Sequence, residues 1–133
     1  MSSFMDLIAQ KKITRGEKLE SEALIVAQKV LCNMGLDFLP ISYVNFLKHY
    51  NGLKYNGCYL FGPTVDDDMD IIDKNEQIDK PEGTILLGCN DFDLLCYHIK
   101  KKEYLIVDRA DFEVLEEYPE NKINDALSAI FKL

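Results

Sequence analysis

The chain has 133 residues, 47% hydrophobic and 29% charged, with a formal net charge of −8; that size and balance suit one folded domain and exclude a disordered chain. The charge is uneven, with seven Lys/Arg against five Asp/Glu in residues 1–60 and eight against eighteen in residues 61–133. An acidic field repels nucleic acid and anionic membrane and attracts basic partners, so direct DNA or RNA binding is disfavoured.

The opening MSSFMDLIAQKK has no basic stretch followed by an apolar core of secretory type. No run approaches the ~18 apolar residues of a membrane span. Cytoplasmic location without membrane contact is the expectation. Phe4, Leu7 and Ile8 predict a helical turn, with Arg15-Gly16 as the break after it. Over 17–34, Leu19, Ala23, Val26, Ala27, Val30, Leu31 and Met34 recur at three- and four-residue spacing, the stripe of an amphipathic helix. Glu17, Glu20 and Glu22 suit its first turns, where the helix dipole favours negative charge. Gly35 suits its left-handed cap. A second helix is predicted over 39–52, opened by Pro40 and stopped by Asn51-Gly52, with Tyr43, Phe46, Leu47 and Tyr50 on one face. That face reads as core, because a short helix must bury one stripe to be stable.

Beyond residue 57 the pattern changes. Short apolar runs at 58–62, 84–89, 94–99 and 104–108, bounded by Gly, Pro, Asn or Asp, predict strands. The last two are joined by a Lys100-Lys101-Lys102-Glu103 hairpin loop. A fifth strand is expected at 113–117, with Val114 facing inward. A C-terminal helix opening near Asn124 or Asp125 carries Ala126, Leu127, Ile130 and Phe131. Helices, then strands, then a helix make an α+β fold: an antiparallel or mixed sheet of about five strands, with N-terminal and C-terminal helices packed on it.

The four cysteines, Cys32, Cys58, Cys89 and Cys96, form no C-x-x-C pair. They read as reduced, buried small hydrophobes rather than zinc ligands. His49 and His98 lie far apart in the sequence, and no nucleophile, phosphate-loop or dinucleotide motif accompanies them. No catalytic residue, metal or cofactor is assigned.

Asp66, Asp67, Asp68 and Asp70, with Asp73 beyond, form the densest charge cluster. Asp66, Asp68 and Asp70 have the first spacings of a calcium loop. Ile71 at its sixth position and Gln77 at its twelfth break the pattern. A solvated loop is the simpler reading, and an acidic patch that docks a basic partner is the functional one. At Asn90-Asp91-Phe92-Asp93, turn chemistry is sufficient unless Phe92 is exposed, in which case Asp91 and Asp93 flank an aromatic contact.

Leu39-Pro40, Tyr43, Phe46-Leu47, Asn51-Gly52, Gly57 and Leu60-Phe61-Gly62 carry a resemblance, continued by Asn75, Ile85-Leu86-Leu87-Gly88, Tyr104, Asp108-Arg109 and Glu116. In these residues the chain resembles the SUKH superfamily, which contains fungal Smi/Knr cell-wall-assembly regulators and many bacterial immunity proteins. It sits nearest the bacterial, YrhA-like branch. The match spans roughly residues 37–133, with 1–36 as a variable N-terminal helical region of the same single domain.

The resemblance implies an α+β domain that binds and neutralises a toxin. With the charge, it points to a non-enzymatic immunity protein for a basic toxin domain, such as a nuclease. The partner-binding residues expected from charge are Asp66, Asp67, Asp68, Asp70, Asp73, Asp91 and Asp93. The alternatives are an intracellular scaffold or regulatory module, and a small metal-dependent hydrolase built on the aspartate cluster. Oligomeric state is left open.

Overall fold

The computed structural model describes residues 4–9, 14–15, 18–64 and 68–133. The strands are β1 (Thr14–Arg15), β2 (Leu53–Tyr55), β3 (Cys58–Leu60), β4 (Thr84–Cys89), β5 (Asp93–His98), β6 (Glu103–Asp108) and β7 (Val114–Pro119). They form one sheet in chain order, and every pair is antiparallel. The helices are α1 (Phe4–Ala9), α2 (Ser21–Asn33), α3 (Ile41–His49), α4 (Ile71–Gln77) and α5 (Ile123–Phe131), the last entered through a 3-10 turn at Glu120–Lys122. The fold is α+β, as expected, with the sheet wholly antiparallel. Among the described residues, no helix is long and apolar enough to cross a membrane.

The central strands explain the rest of the packing. All six residues of β4 and the middle four of β5 and β6 are buried, so both sheet faces need a cover. Helix α5 packs on β5, β6 and β7, α4 on β4, and α1 on α5. Phe4, Phe46 and Phe131 meet with ring centroids 5.4–6.0 Å apart, extended by Tyr43 and Tyr50. The predicted core face of α3 is therefore core: Tyr43, Phe46 and Leu47 are buried and Tyr50 half-buried. The Tyr43 hydroxyl donates to the carbonyls of Phe61 and Leu87, and Ser42 Oγ meets the Tyr104 hydroxyl. These bonds tie α3 to the sheet without stranding a phenol in the core.

Asn75 does similar work for α4. Its Nδ2 donates to the carbonyls of Ile71 (2.8 Å) and Leu86 (2.9 Å), and its Oδ1 accepts from the Leu86 N–H (2.8 Å). Strand β3 pairs with β4 only at Tyr59↔Cys89 and Leu60↔Gly88. The carboxamide supplies Leu86 with the donor and acceptor a neighbouring strand would offer. A Cβ at Gly88 would collide with the Tyr59 carbonyl oxygen, so glycine is what lets β3 close on the bulge between Leu86 and Gly88.

Several expectations are corrected. Among the described residues the sheet has seven strands where about five were expected; β1 and β2 are the additions, and Arg15 lies in a strand instead of a break. Strand β3 stops at Leu60, leaving Phe61 and Gly62 outside it. Helix α2 begins at Ser21, with Glu20 as its cap residue; Glu17 lies outside the described residues. Gly35 has the expected positive φ (86°). Helix α3 ends at His49, and of Asn51-Gly52 only Gly52 has positive φ (93°). Asn51 is instead buried, its Nδ2 donating to the Pro63 carbonyl. Val26 (59% exposed) and Val114 (47%) do not face the core, and Cys32 is exposed. The expected 66–73 loop runs into α4, which takes Ile71 to Asp73 and continues to Gln77.

Candidate functional site

Three turns meet at one end of the sheet. The β2–β3 hairpin turns at Asn56-Gly57, whose φ values of 53° and 76° suit a two-residue primed turn. The β4–β5 connection is Asn90–Phe92, and the β6–β7 connection runs from Arg109 to Glu113. A Cβ on Gly57 would lie 3.8 Å from Asp91 Oδ1. The Arg109 N–H donates to the Phe92 carbonyl (2.8 Å), and Arg109 Nη1 donates to the Asn90 carbonyl (2.9 Å).

Asn90 builds the central turn. It is 3% exposed. Its Oδ1 accepts from the N–H groups of Phe92 (2.9 Å) and Asp93 (2.8 Å), and its Nδ2 donates to the Ile130 carbonyl at the end of α5 (3.0 Å). With every polar atom of the carboxamide used inward, Asp91 and Phe92 are pushed out. Phe92 is 68% exposed, the Lys132 ammonium sitting 5.3 Å from its ring centroid. The condition for reading this turn as a contact surface is therefore met.

The neighbouring turn is acidic for a local reason. Asp108 Oδ1 accepts from the N–H groups of Ala110 (2.8 Å) and Asp111 (3.2 Å), and Asp111 Oδ1 accepts from the Glu113 N–H (2.9 Å). These carboxylates hold the turn and still present negative charge beside Asp91. Asp91, Phe92, Asp108, Arg109 and Ala110 line a shallow cleft of 260 Å³. Burial pushes the Cys58 thiol up, opposed by the Lys132 charge and helped by Asp91, so this thiol borders the same cluster.

The expected partner-binding residues fall into groups. Asp66 and Asp67 lie outside the described residues. Asp68 is exposed and pairs with Lys54 (3.1 Å). Asp70 caps α4, its Oδ1 accepting from the Ile72 N–H (3.3 Å); burial raises its carboxyl, the bond from Ile72 opposes this, and Asp73 adds to the rise. Asp73 is half-buried in the first turn of α4. Asp91 is exposed and Asp93 half-buried at the sheet end. Arg109 lines both the Asp91–Phe92 cleft and a 190 Å³ cavity that also touches Asp68 and Lys74. Arg109 is thus common to the linings that contain Asp68 and Asp91.

Sequence reasoning missed Asp108 and Asp111 as parts of this surface. The available signal was Asp-Arg-Ala-Asp directly after an apolar strand, a turn placed beside the 90–93 turn by the β5–β6 hairpin. A groove of 570 Å³ lies elsewhere, between α2 at Ala23, Val26 and Val30 and the Pro63-Thr64 and Asp70–Ile72 segments. Among the described residues, no three His, Cys, Asp or Glu side chains are grouped closely enough to hold a metal ion. No protein-family model matches the chain, and no curated protein matches it in sequence.

Proposed function

We propose that this chain is a non-enzymatic protein-binding module, with the sheet-end surface around Phe92 as its contact face. The carrying observation is Phe92 itself, 68% exposed on a turn that Asn90 fixes, with Asp91 and Asp93 on either side in sequence and Asp108 lining the same cleft. An aromatic anchor held rigidly loses little entropy on binding, and surrounding carboxylates steer a basic partner. Residues 61–133 carry eighteen acidic against eight basic side chains, which extends the steering beyond the contact. The resemblance to SUKH immunity proteins supports the more specific reading: a cytoplasmic inhibitor that covers the working face of a basic toxin domain.

The test is co-expression with the C-terminal domain of the protein encoded beside this one. The reading expects wild-type protein to protect growth. It expects Phe92→Ala to weaken the complex by about 2 kcal/mol, roughly thirtyfold, as for a typical anchor residue. A complex that forms without protecting growth would instead favour the scaffold alternative. No complex, or one indifferent to Phe92, would overturn the assignment of this surface.

A further inference from the structure

Strand β7 is the last strand of the sheet, and among the described residues no strand covers its outer edge. Five of its six residues are exposed, including the adjacent apolar side chains Val114 (47%) and Leu115 (48%). The edge carries the usual guards of a free strand, with Glu116, Glu117, Pro119 and a register shift, yet it still leaves an apolar pair exposed.

The backbone phase of this edge follows from two hydrogen bonds. The Asp108 N–H donates to the Glu113 carbonyl on the β7 side, and the Arg109 N–H donates to the Phe92 carbonyl on the β5 side. Backbone groups alternate in direction along a strand, so the even-numbered residues of β6 face β7. The registered pairs Tyr104↔Tyr118 and Ile106↔Glu116 are then the bonded ones, and Glu117 directs its N–H and C=O outward. The shift from Ile106↔Glu116 to Val107↔Val114 puts the extra residue, Leu115, on β7. Val114 consequently also faces outward. Pro119 falls in the outward phase too, where its missing N–H costs the sheet nothing.

Charge selects what can occupy this edge. From Asp111 to Glu120 the chain carries Asp111, Glu113, Glu116, Glu117 and Glu120 and no lysine or arginine. A second copy pairing through β7 would set glutamates against glutamates, which opposes self-association. A basic strand would meet complementary charge at Glu116 and Glu117 within β7 and at Glu113 just before it. The edge is also continuous with the Phe92 surface through the Arg109–Glu113 turn.

We propose that an extended lysine- or arginine-rich segment of the partner adds to β7 as an eighth strand. This rests on the protein-binding reading and specifies its geometry. The probe is an end-capped nine-residue peptide alternating Lys and Val, with a Glu/Val peptide as control. At low salt and saturating Lys/Val peptide, amide hydrogen exchange at Val114 and Glu117 should slow at least fivefold, with no effect from the control. Glu117→Pro removes the outward donor and should abolish this, with an unchanged melting profile as the check on folding. Glu116→Lys/Glu117→Lys leaves the backbone intact and should weaken peptide binding at least tenfold. Unchanged exchange at both amides, or protection already present without peptide because the chain pairs with itself, would overturn the proposal. The adjacent-gene protein separates the two readings. A complex weakened by Phe92→Ala but untouched by the double lysine variant sinks the edge alone, and a complex indifferent to both sinks the surface as well.

Discussion

Replacing Asn75 with alanine removes the carboxamide that stands in for a strand beside Leu86. The Leu86 N–H loses its acceptor, the Leu86 carbonyl loses a donor, and the Ile71 carbonyl loses a second bond. Asn75 is 4% exposed, so water does not readily replace these partners. A stranded buried N–H costs about 1–3 kcal/mol and each lost bond to a carbonyl about 1 kcal/mol, giving a total whose lower end is about 3 kcal/mol. With a urea slope of about 2 kcal/mol/M, the midpoint should fall by about 1.5 M or more at unchanged slope. Asn75→Asp keeps the volume but aims an acceptor at two carbonyl oxygens, and should be no better at neutral pH. Protonation restores one donor, so folding should raise this carboxyl's pKa. The sign then follows: the variant is most stable below the ordinary aspartate value of about 4 and loses stability as pH rises through the folded value. Urea titrations at neutral pH and near pH 4 read both effects. A loss under about 1 kcal/mol for Asn75→Ala, well below the cost of one stranded buried group, would refute the clamp.

Gly88→Ala should cost about 1–3 kcal/mol in the same assay, because the added methyl meets the Tyr59 carbonyl oxygen, which belongs to backbone and cannot swing away. At high pH, burial pushes the Tyr43 and Tyr104 phenols up, and with Glu120 nearby pushes Tyr97 up to about 12; burial pushes the Cys96 thiol up to about 12. Folding holds these protons more tightly than the unfolded chain, so stability should be full below about pH 9 and fall as pH rises toward 12. The last part of the tyrosinate absorbance change should coincide with the loss of circular dichroism; tyrosine ionisation complete before unfolding would contradict it. Of the four thiols, Cys32 alone is exposed, so a thiol reagent should modify one promptly in the native protein and four in denaturant. Prompt reaction of a second native thiol would contradict the burial of Cys58, Cys89 and Cys96.

The parts of the fold legible in the sequence are those where one local pattern decides the outcome. The apolar runs of β4, β5 and β6 and the Tyr43/Phe46/Leu47 face are of this kind, because burial on a regular element imposes a period. Strand β2 was missed for its three-residue length, although Asn56-Gly57 is a strong hairpin signal between Tyr55 and Cys58. Helix α4 was hidden by the aspartates before it, whose spacing invited comparison with a calcium loop. Ile71, Ile72, Asn75 and Ile78 nevertheless have helical spacing, and Asp70 is an apt cap. The α2 stripe misled at Val26 because periodicity gives an apolar face but not how much of it a neighbour covers.

The candidate surface was half legible. Asp91 and Asp93 could be named from charge, and Phe92 from its place between them. That Asn90 turns its side chain wholly inward, and that Asp108 arrives beside Phe92, are tertiary facts. They depend on the Ile130 carbonyl, forty residues away, and on the β5–β6 register. The 68–73 aspartates looked equivalent in sequence and are not. Asp68 meets Lys54, and Asp70 is committed to a helix start.

Hydrogen-exchange footprinting of the complex with the adjacent-gene protein tests the central claim most directly. Protection on binding should concentrate at residues 90–93, 108–113 and 114–117 and spare the α2 flank around Val26. Protection centred on α2, with residues 90–93 unchanged, would contradict it.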